Sequence, residues 1–89
     1  MKAIVTVLGR DGTGIIAGVS TLLAQESINI LNVSQTILDG NFTMMMTVDM
    51  SNAKNDLETV KVKADKLSEQ LKVQIAIQNQ AIFDRMHQL

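Results

Sequence analysis

Strand-like and helix-like patterns of apolar residues follow one another along this chain of 89 residues. Residues 3–8 (AIVTVL) form a short apolar run rich in β-branched side chains, which predicts a central strand ending at Gly9. The spacing then becomes helical, and the apolar residues of the predicted helix are Ile15, Val19, Leu22 and Leu23. Thr13 is its predicted N-cap, and Gly18 predicts close packing of the helix on the sheet.

The middle of the chain predicts a β-hairpin. Residues 28–38 have an extended pattern, and the Asp39-Gly40-Asn41 segment that follows accepts the positive φ angles of a tight turn. Side chains of the return strand, residues 42–50, alternate between two faces. One face carries Phe42, Met44, Met46, Val48 and Met50. These methionines are interpreted as core filling rather than as a copper site, because no histidine or cysteine stands near them.

The second half of the chain predicts another helix and a fourth strand. The apolar stripe of this helix consists of Leu57, Val60, Ala64, Leu67 and Leu71. Residues 73–77 (VQIAI) alternate again, and residues 79–89 have the spacing of a short C-terminal helix that packs on the domain or on a partner.

The order of predicted elements is β-α-β-β-α-β within a single domain, residues 1–89. This order is typical of the α+β, ferredoxin-like fold, in which two helices cover one face of a four-stranded antiparallel sheet. In this topology the second strand lies at an edge, so the backbone of residues 31–36 is free to pair with a second copy of the chain.

Composition and charge exclude several classes of function. The net charge is −1, and acidic residues are interleaved with lysines along residues 54–72, which predicts a solvated helix face of mixed sign. Because the chain has no basic stripe and no Tyr or Trp, direct binding of nucleic acid is not expected. The absence of cysteine excludes disulfides and thiolate metal sites, and neither a signal peptide nor a membrane span is evident, so a cytoplasmic protein is expected.

The glycine-rich segment GRDGTG, residues 9–14, does not match a nucleotide site. Its glycine spacing is that of a P-loop, but Ile15 and Ile16 occupy the positions where Lys and Ser or Thr reach the phosphates. The segment GTGIIA, residues 12–17, fits a dinucleotide fingerprint, yet such a site needs parallel strands, whereas this chain turns back at the hairpin. His87 stands alone in the tail, and no catalytic constellation, metal site or cofactor is expected, so the sequence does not indicate an enzyme.

The same segment has the chemistry of a small-ligand site. Amides at Thr13, Gly14 and Ile15 would suit a carboxylate at the start of the helix, and Gly12 lets the backbone approach closely. The Asp11 carboxylate would accept a hydrogen bond from an ammonium group, and a cation would suit it as well. Carboxylate and ammonium together describe a free amino acid. The alternative is that the glycines only form a turn and Asp11 only caps it.

The loop GRDGTGI, the helix after it and the segment QESINILNVSQ resemble the ACT domain, a small regulatory module that commonly binds amino acids. The resemblance implies that Asp11 contacts the ligand and that Asn29 supplies a second contact from the partner subunit. Gly14 and Ile15 correspond to the family's loop glycine and the aliphatic residue after it, and Asn32 and Gln35 are weaker candidates. Two departures are Thr13, where many relatives have proline, and Asp11, where some serine-binding members have asparagine.

The resemblance is strongest to stand-alone ACT proteins of prokaryotes and to the ACT halves of the glycine cleavage system transcriptional repressor. It implies a homodimer that binds an amino acid or similar ligand at the interface and regulates a separate protein. The alternative is a ligand-free interaction module in transcriptional regulation, which would use the tail or the sheet face with Thr43, Met45 and Thr47.

Overall fold

The structure is a computed structural model that describes residues 1–10 and 14–86, in which four strands and three helices are formed. In chain order they are β1 (Lys2–Gly9), α1 (Ile15–Gln25), β2 (Asn29–Leu38), β3 (Asn41–Asp49), α2 (Leu57–Leu71), β4 (Gln74–Asn79) and α3 (Gln80–Met86). The predicted βαββαβ order and ferredoxin-like class are therefore confirmed.

The four strands form one antiparallel sheet in the order β2-β3-β1-β4. Strands β1 and β3 are central, and β2 and β4 are the edges. The ten-residue strand β2 pairs with β3 only, within the described residues. The predicted edge position of the second strand is thus confirmed.

Helices α1 and α2 cover one face of the sheet and enclose the core with it. The fully buried core side chains include Val5 and Val7 of β1, Met44, Met46 and Val48 of β3, Ile15, Val19 and Leu23 of α1, and Val60 of α2. Burial alternates along β3 as the sequence predicts, because successive side chains of a strand point to opposite faces. The helices supply the apolar stripes that the 3.6-residue period indicates.

A two-residue turn joins β2 to β3. Asp39 (φ 52°) and Gly40 (φ 77°) both have left-handed backbone conformations, which match the right-handed twist of the two strands. The predicted hairpin is confirmed at these residues.

Gly18 allows α1 to approach α2. A Cβ atom at this position would lie 2.9 Å from Leu71 Cδ1 and 3.6 Å from Leu67 Cδ1. The predicted close packing is confirmed, but the predicted contact with the sheet was wrong, because both neighbours belong to α2.

Helix α3 packs on the domain. Ile4 belongs to the face of the sheet opposite α1 and α2, yet it is only 6% exposed. Helix α3 contacts β1 and β4, and we attribute the burial of Ile4 to it. Residues 87–89 of the predicted tail helix, His87 included, lie outside the described residues.

Candidate functional site

Helix α1 begins with unpaired amides. Gly14 occupies the N-cap position in a left-handed conformation (φ 77°, ψ −12°) without a side-chain cap, and Gly18 N donates the first helical hydrogen bond to Gly14 O at 2.9 Å. The amides of Ile15, Ile16 and Ala17 precede that bond, so they have no acceptor within the helix. The predicted N-cap at Thr13 was wrong, because the cap position is one residue later.

The electrostatics of this helix end favour an anion. The first turn of α1 contains no acidic residue to neutralise the positive end of the helix dipole. Ile15 is buried and anchors the turn in the core, whereas Ile16 and Ala17 are exposed. The remaining predicted contacts at Asp11, Gly12 and Thr13 lie in the segment between the two described ranges.

Asn29 lies at the other end of the sheet. It is paired with Asp49, which is paired in turn with Lys2 at the start of β1, whereas the segment leading to α1 leaves from Gly9. Seven residue steps along β1 correspond to roughly 23 Å. A single chain therefore does not bring Asn29 to Gly14.

A β-bulge places Asn29 and Asn32 on the same face of the sheet. The register of β2 against β3 shifts between Ile30 and Asn32, which leaves Leu31 unpaired. As a result Asn29 is opposite Asp49 and Asn32 is opposite Thr47, both on the face away from α1 and α2. Without the bulge, two residues three apart would point to opposite faces.

Asp49, the neighbour of Asn29, is engaged within its own turn. Its Oδ1 accepts hydrogen bonds from Ser51 Oγ at 2.6 Å and from Ser51 N at 2.9 Å. These bonds hold the pKa of Asp49 below its ordinary value. The carboxylate thus fixes the end of β3.

Glu26 is a buried acid that sequence reasoning missed. Its side chain is 5% exposed, and its carboxylate accepts hydrogen bonds from Lys63 Nζ at 2.6 Å and from Asn55 Nδ2 at 2.7 Å. These bonds lower the pKa of Glu26, against the opposing effect of desolvation. Lys63 itself stays on the predicted solvated face, with a side chain that is 43% exposed. No spacing in the sequence signals its pairing with an acid 37 positions away.

The described residues offer no metal site and no membrane span. Within residues 1–10 and 14–86, no three His, Cys, Asp or Glu side chains are grouped closely enough to hold a metal ion. No helix in these two ranges has both the length and the apolar character needed to cross a membrane.

The comparisons with known proteins agree with one another. The sequence model of the ACT domain family matches residues 2–78. A UPF0237 protein of Methanocaldococcus jannaschii is 48% identical over 88 residues, which cover 99% of this chain and 98% of that protein. An ACT domain protein from Streptococcus pneumoniae has a similar structure, with a TM-score of 0.83, 46% identity and 93% of each chain covered.

A glycine cleavage system transcriptional repressor shares the fold, with a TM-score of 0.78 and 19% identity over 86% of this chain and 44% of that one. The resemblance found in the sequence is therefore confirmed by a family match over most of the chain and by relatives of nearly equal length. The chain belongs to the ACT domain family.

Proposed function

We propose that this protein is a cytoplasmic regulatory module that binds an amino acid or similar small ligand between two copies of the chain and modulates a separate partner protein. The observation that carries the proposal is the separation of Gly14 and Asn29 at opposite ends of a sheet whose β2 edge is unpaired in the described residues. Only a second chain can complete a site that uses both residues.

A two-fold pairing of β2 with its copy would bring the two residues closer together. Pairing centred on Val33 would set Asn29 of one copy opposite Thr36 of the other, since the bulge at Leu31 leaves each of them three pairs from Val33 along β3. Thr36 and Leu8 are both paired with Thr43, so Asn29 of the second copy would lie level with the last residues of β1. That is the end of the sheet from which the chain runs to α1.

The chemistry of the resulting seam suits a zwitterion. The free amides at the start of α1 would donate hydrogen bonds to the carboxylate of the ligand, and the Asp11 carboxylate would accept hydrogen bonds from its ammonium group. The amide of Asn29 would supply a further polar contact from the second copy. Because the ligand contacts both chains, it stabilises the dimer in one arrangement, which a partner protein can recognise.

A thermal-shift screen of the twenty amino acids tests this proposal. A ligand present at about 100 times its Kd stabilises the folded protein by about 2.7 kcal/mol, which raises the Tm by roughly 10 °C or more for a domain of this size. We expect Asn29→Ala and Asp11→Ala to abolish the increase in Tm. Asn29 is exposed, so its replacement leaves the core intact.

Two matched variants serve as controls. Asn52→Ala changes an exposed asparagine in the connection between β3 and α2, and Asp65→Ala changes an exposed aspartate on α2. Both controls should retain the ligand-induced shift. A screen without any increase in Tm, or a shift that survives both Asn29→Ala and Asp11→Ala, would contradict the proposed site.

A ligand-free interaction module is the second candidate. It is favoured by exposed apolar side chains on the face away from α1 and α2, where Leu8 and Met45 are more than two-fifths exposed, and on α3, where Ile82 and Met86 are more than half exposed. In this alternative the face with Thr43, Met45 and Thr47 binds a regulatory protein. A flat amino-acid screen favours this candidate over the first.

A further inference from the structure

A concavity lies at the end of the sheet where β1 ends and β3 and β4 begin. It has a volume of about 470 Å³ and is lined by residues 8–10 at the end of β1, residues 41–43 at the start of β3 and residues 72–74 at the start of β4. We call it the β1-end cavity. A volume of this size is in the range of small-molecule sites.

The antiparallel register brings polar side chains together in this cavity. Leu8 is paired with Thr43 on one side and with Gln74 on the other. Continuing the β1–β3 register places Arg10 level with Asn41, and Lys72 lies two residues before Gln74. All six of these residues line the cavity.

The charges of the cavity have one sign. Arg10 and Lys72 line it, whereas no carboxylate does so among the described residues. Neither cation forms an ion pair with another described residue. In a chain with a net charge of −1, two cations in one concavity that have no ion pair with the described residues form a local positive field that favours an anion.

The other lining groups add hydrogen-bond donors and an apolar surface. The amides of Asn41 and Gln74 and the hydroxyl of Thr43 can donate to an oxyanion. Leu8, which is more than two-fifths exposed, offers an apolar surface for the carbon atoms of a ligand.

We propose that the β1-end cavity binds a small metabolite through a carboxylate or phosphate group held between Arg10 and Lys72. We distinguish this cavity from the proposed seam because β3 and β1 lie between the β2 edge, which supplies Asn29 to the seam, and β4, which follows Lys72.

A titration of the ¹⁵N-labelled full chain with inorganic phosphate, and separately with succinate, tests this site at constant ionic strength. We expect saturable chemical-shift changes concentrated at residues 8–10, 41–43 and 72–74. Arg10→Gln and Lys72→Gln should each weaken binding about tenfold, because each removes a charge-assisted hydrogen bond. Binding of phosphate alone identifies a phosphate site, and binding of succinate alone identifies a carboxylate site.

Lys72→Gly separates the loss of binding from a loss of folding. Lys72 caps the end of α2 in a left-handed conformation with φ 58°, where glycine is the preferred residue. This variant should be at least as stable as the natural protein and should still lose anion binding. Lys66→Gln, which removes a lysine from a different groove between α1 and α2, is the matched control and should leave binding unchanged.

Three outcomes would overturn the inference: no saturable change with either anion, equal weakening by Lys66→Gln and Lys72→Gly, or shifts concentrated away from the cavity. The Asn29→Ala variant distinguishes this site from the seam. It should lose the amino-acid response while binding phosphate or succinate normally, and loss of both responses would contradict a separate site.

Discussion

Glu26 shows how one buried charge joins two parts of the chain. The residue follows the end of α1, where its carbonyl oxygen also accepts a hydrogen bond from Lys54 N at 2.9 Å. Its carboxylate is held by Lys63 of α2 and by Asn55 of the preceding connection. Glu26 is the buried member of this group, whereas Lys63 and Asn55 are exposed, so loss of Lys63 would leave a buried carboxylate without its charged partner.

We predict that Glu26→Gln lowers the Tm at neutral pH and that the difference from the natural protein shrinks in acid. The pKa of Glu26 in the folded state lies below its ordinary value of 4.5. The stabilisation is therefore complete above that value and is lost as the pH falls through the lowered pKa. Thermal unfolding from neutral pH to about pH 3 measures the difference.

Glu58→Gln is the control for this prediction. Glu58 is exposed and lies 3.8 Å from Lys61 on the same helix, so its ion pair is weak and screened by solvent. The Tm of the Glu58→Gln variant should stay close to that of the natural protein at every pH. If the difference in Tm between Glu26→Gln and the natural protein did not change with pH, packing rather than charge would be responsible for it.

The contacts between elements depend on two glycines in different ways. A Cβ atom at Gly9 would lie 2.6 Å from Val73 Cγ1, at the point where β1 meets the start of β4. Valine is stiff because two heavy atoms branch from its Cβ. At Gly18 the nearest atom is instead the terminal methyl Cδ1 of Leu71, which can rotate away.

We predict that alanine is destabilising at Gly9 but tolerated at Gly18. Gly9→Ala should lower the free energy of unfolding by about 1–3 kcal/mol, the usual cost of overpacking. Gly18→Ala gains about 1 kcal/mol of helix propensity, which offsets the displacement of Leu71, so its stability should stay within about 1 kcal/mol of the natural protein. Urea unfolding of both variants measures this contrast, and equal destabilisation would contradict it.

The features that the sequence predicts correctly are local. The alternation from Phe42 to Val48 and the Asp39-Gly40 turn depend on neighbouring residues alone, and both are confirmed. The bulge at Leu31 depends on the register against β3, which no pattern within β2 reports. The ion pair of Glu26 and Lys63 joins the end of α1 to α2, so the sequence pattern indicates only that Lys63 belongs to a charged helix surface.

The candidate site also combines local features, which the sequence predicts, with features that depend on distant residues, which it does not. The glycine spacing and the helical pattern predict a helix end near Gly14, and the structure places one there. The cap was predicted one residue early, because Gly14 takes the cap position through its left-handed backbone rather than through a side chain. The role of Asn29 stays a prediction, since it requires a second copy of the chain.

At the scale of the whole molecule, the edge strand β2 is the surface best suited to pairing with another chain. Leu31 and Val33 are 46% exposed and Ile37 is 70% exposed, although the strand lies in the same sheet as the core. An edge strand with unpaired backbone groups and exposed apolar side chains favours pairing with another chain.

We predict that the natural protein is a dimer and that Val33→Lys converts it to a single chain of about 9.7 kDa. The substitution places a charge at the centre of the proposed β2 pairing, where its copy from the two-fold partner would face it. Light scattering at micromolar concentration measures the mass. Val62→Lys, which changes an exposed valine on α2, is the control and should remain dimeric. A natural protein that is monomeric at this concentration would contradict the prediction.

The two edges of the sheet differ, and this difference would limit the proposed assembly to two copies. Strand β2 has ten residues and β4 has six, with Gln74, Ala76 and Gln78 along it. If β2 joined β4 of the next molecule, each addition would leave a new free end and the product would be an endless ribbon. If β2 instead paired with β2 of a second copy, both β2 edges would be covered in the same step. Assembly would then stop at two chains, with the short β4 strands at the outer edges of the combined sheet.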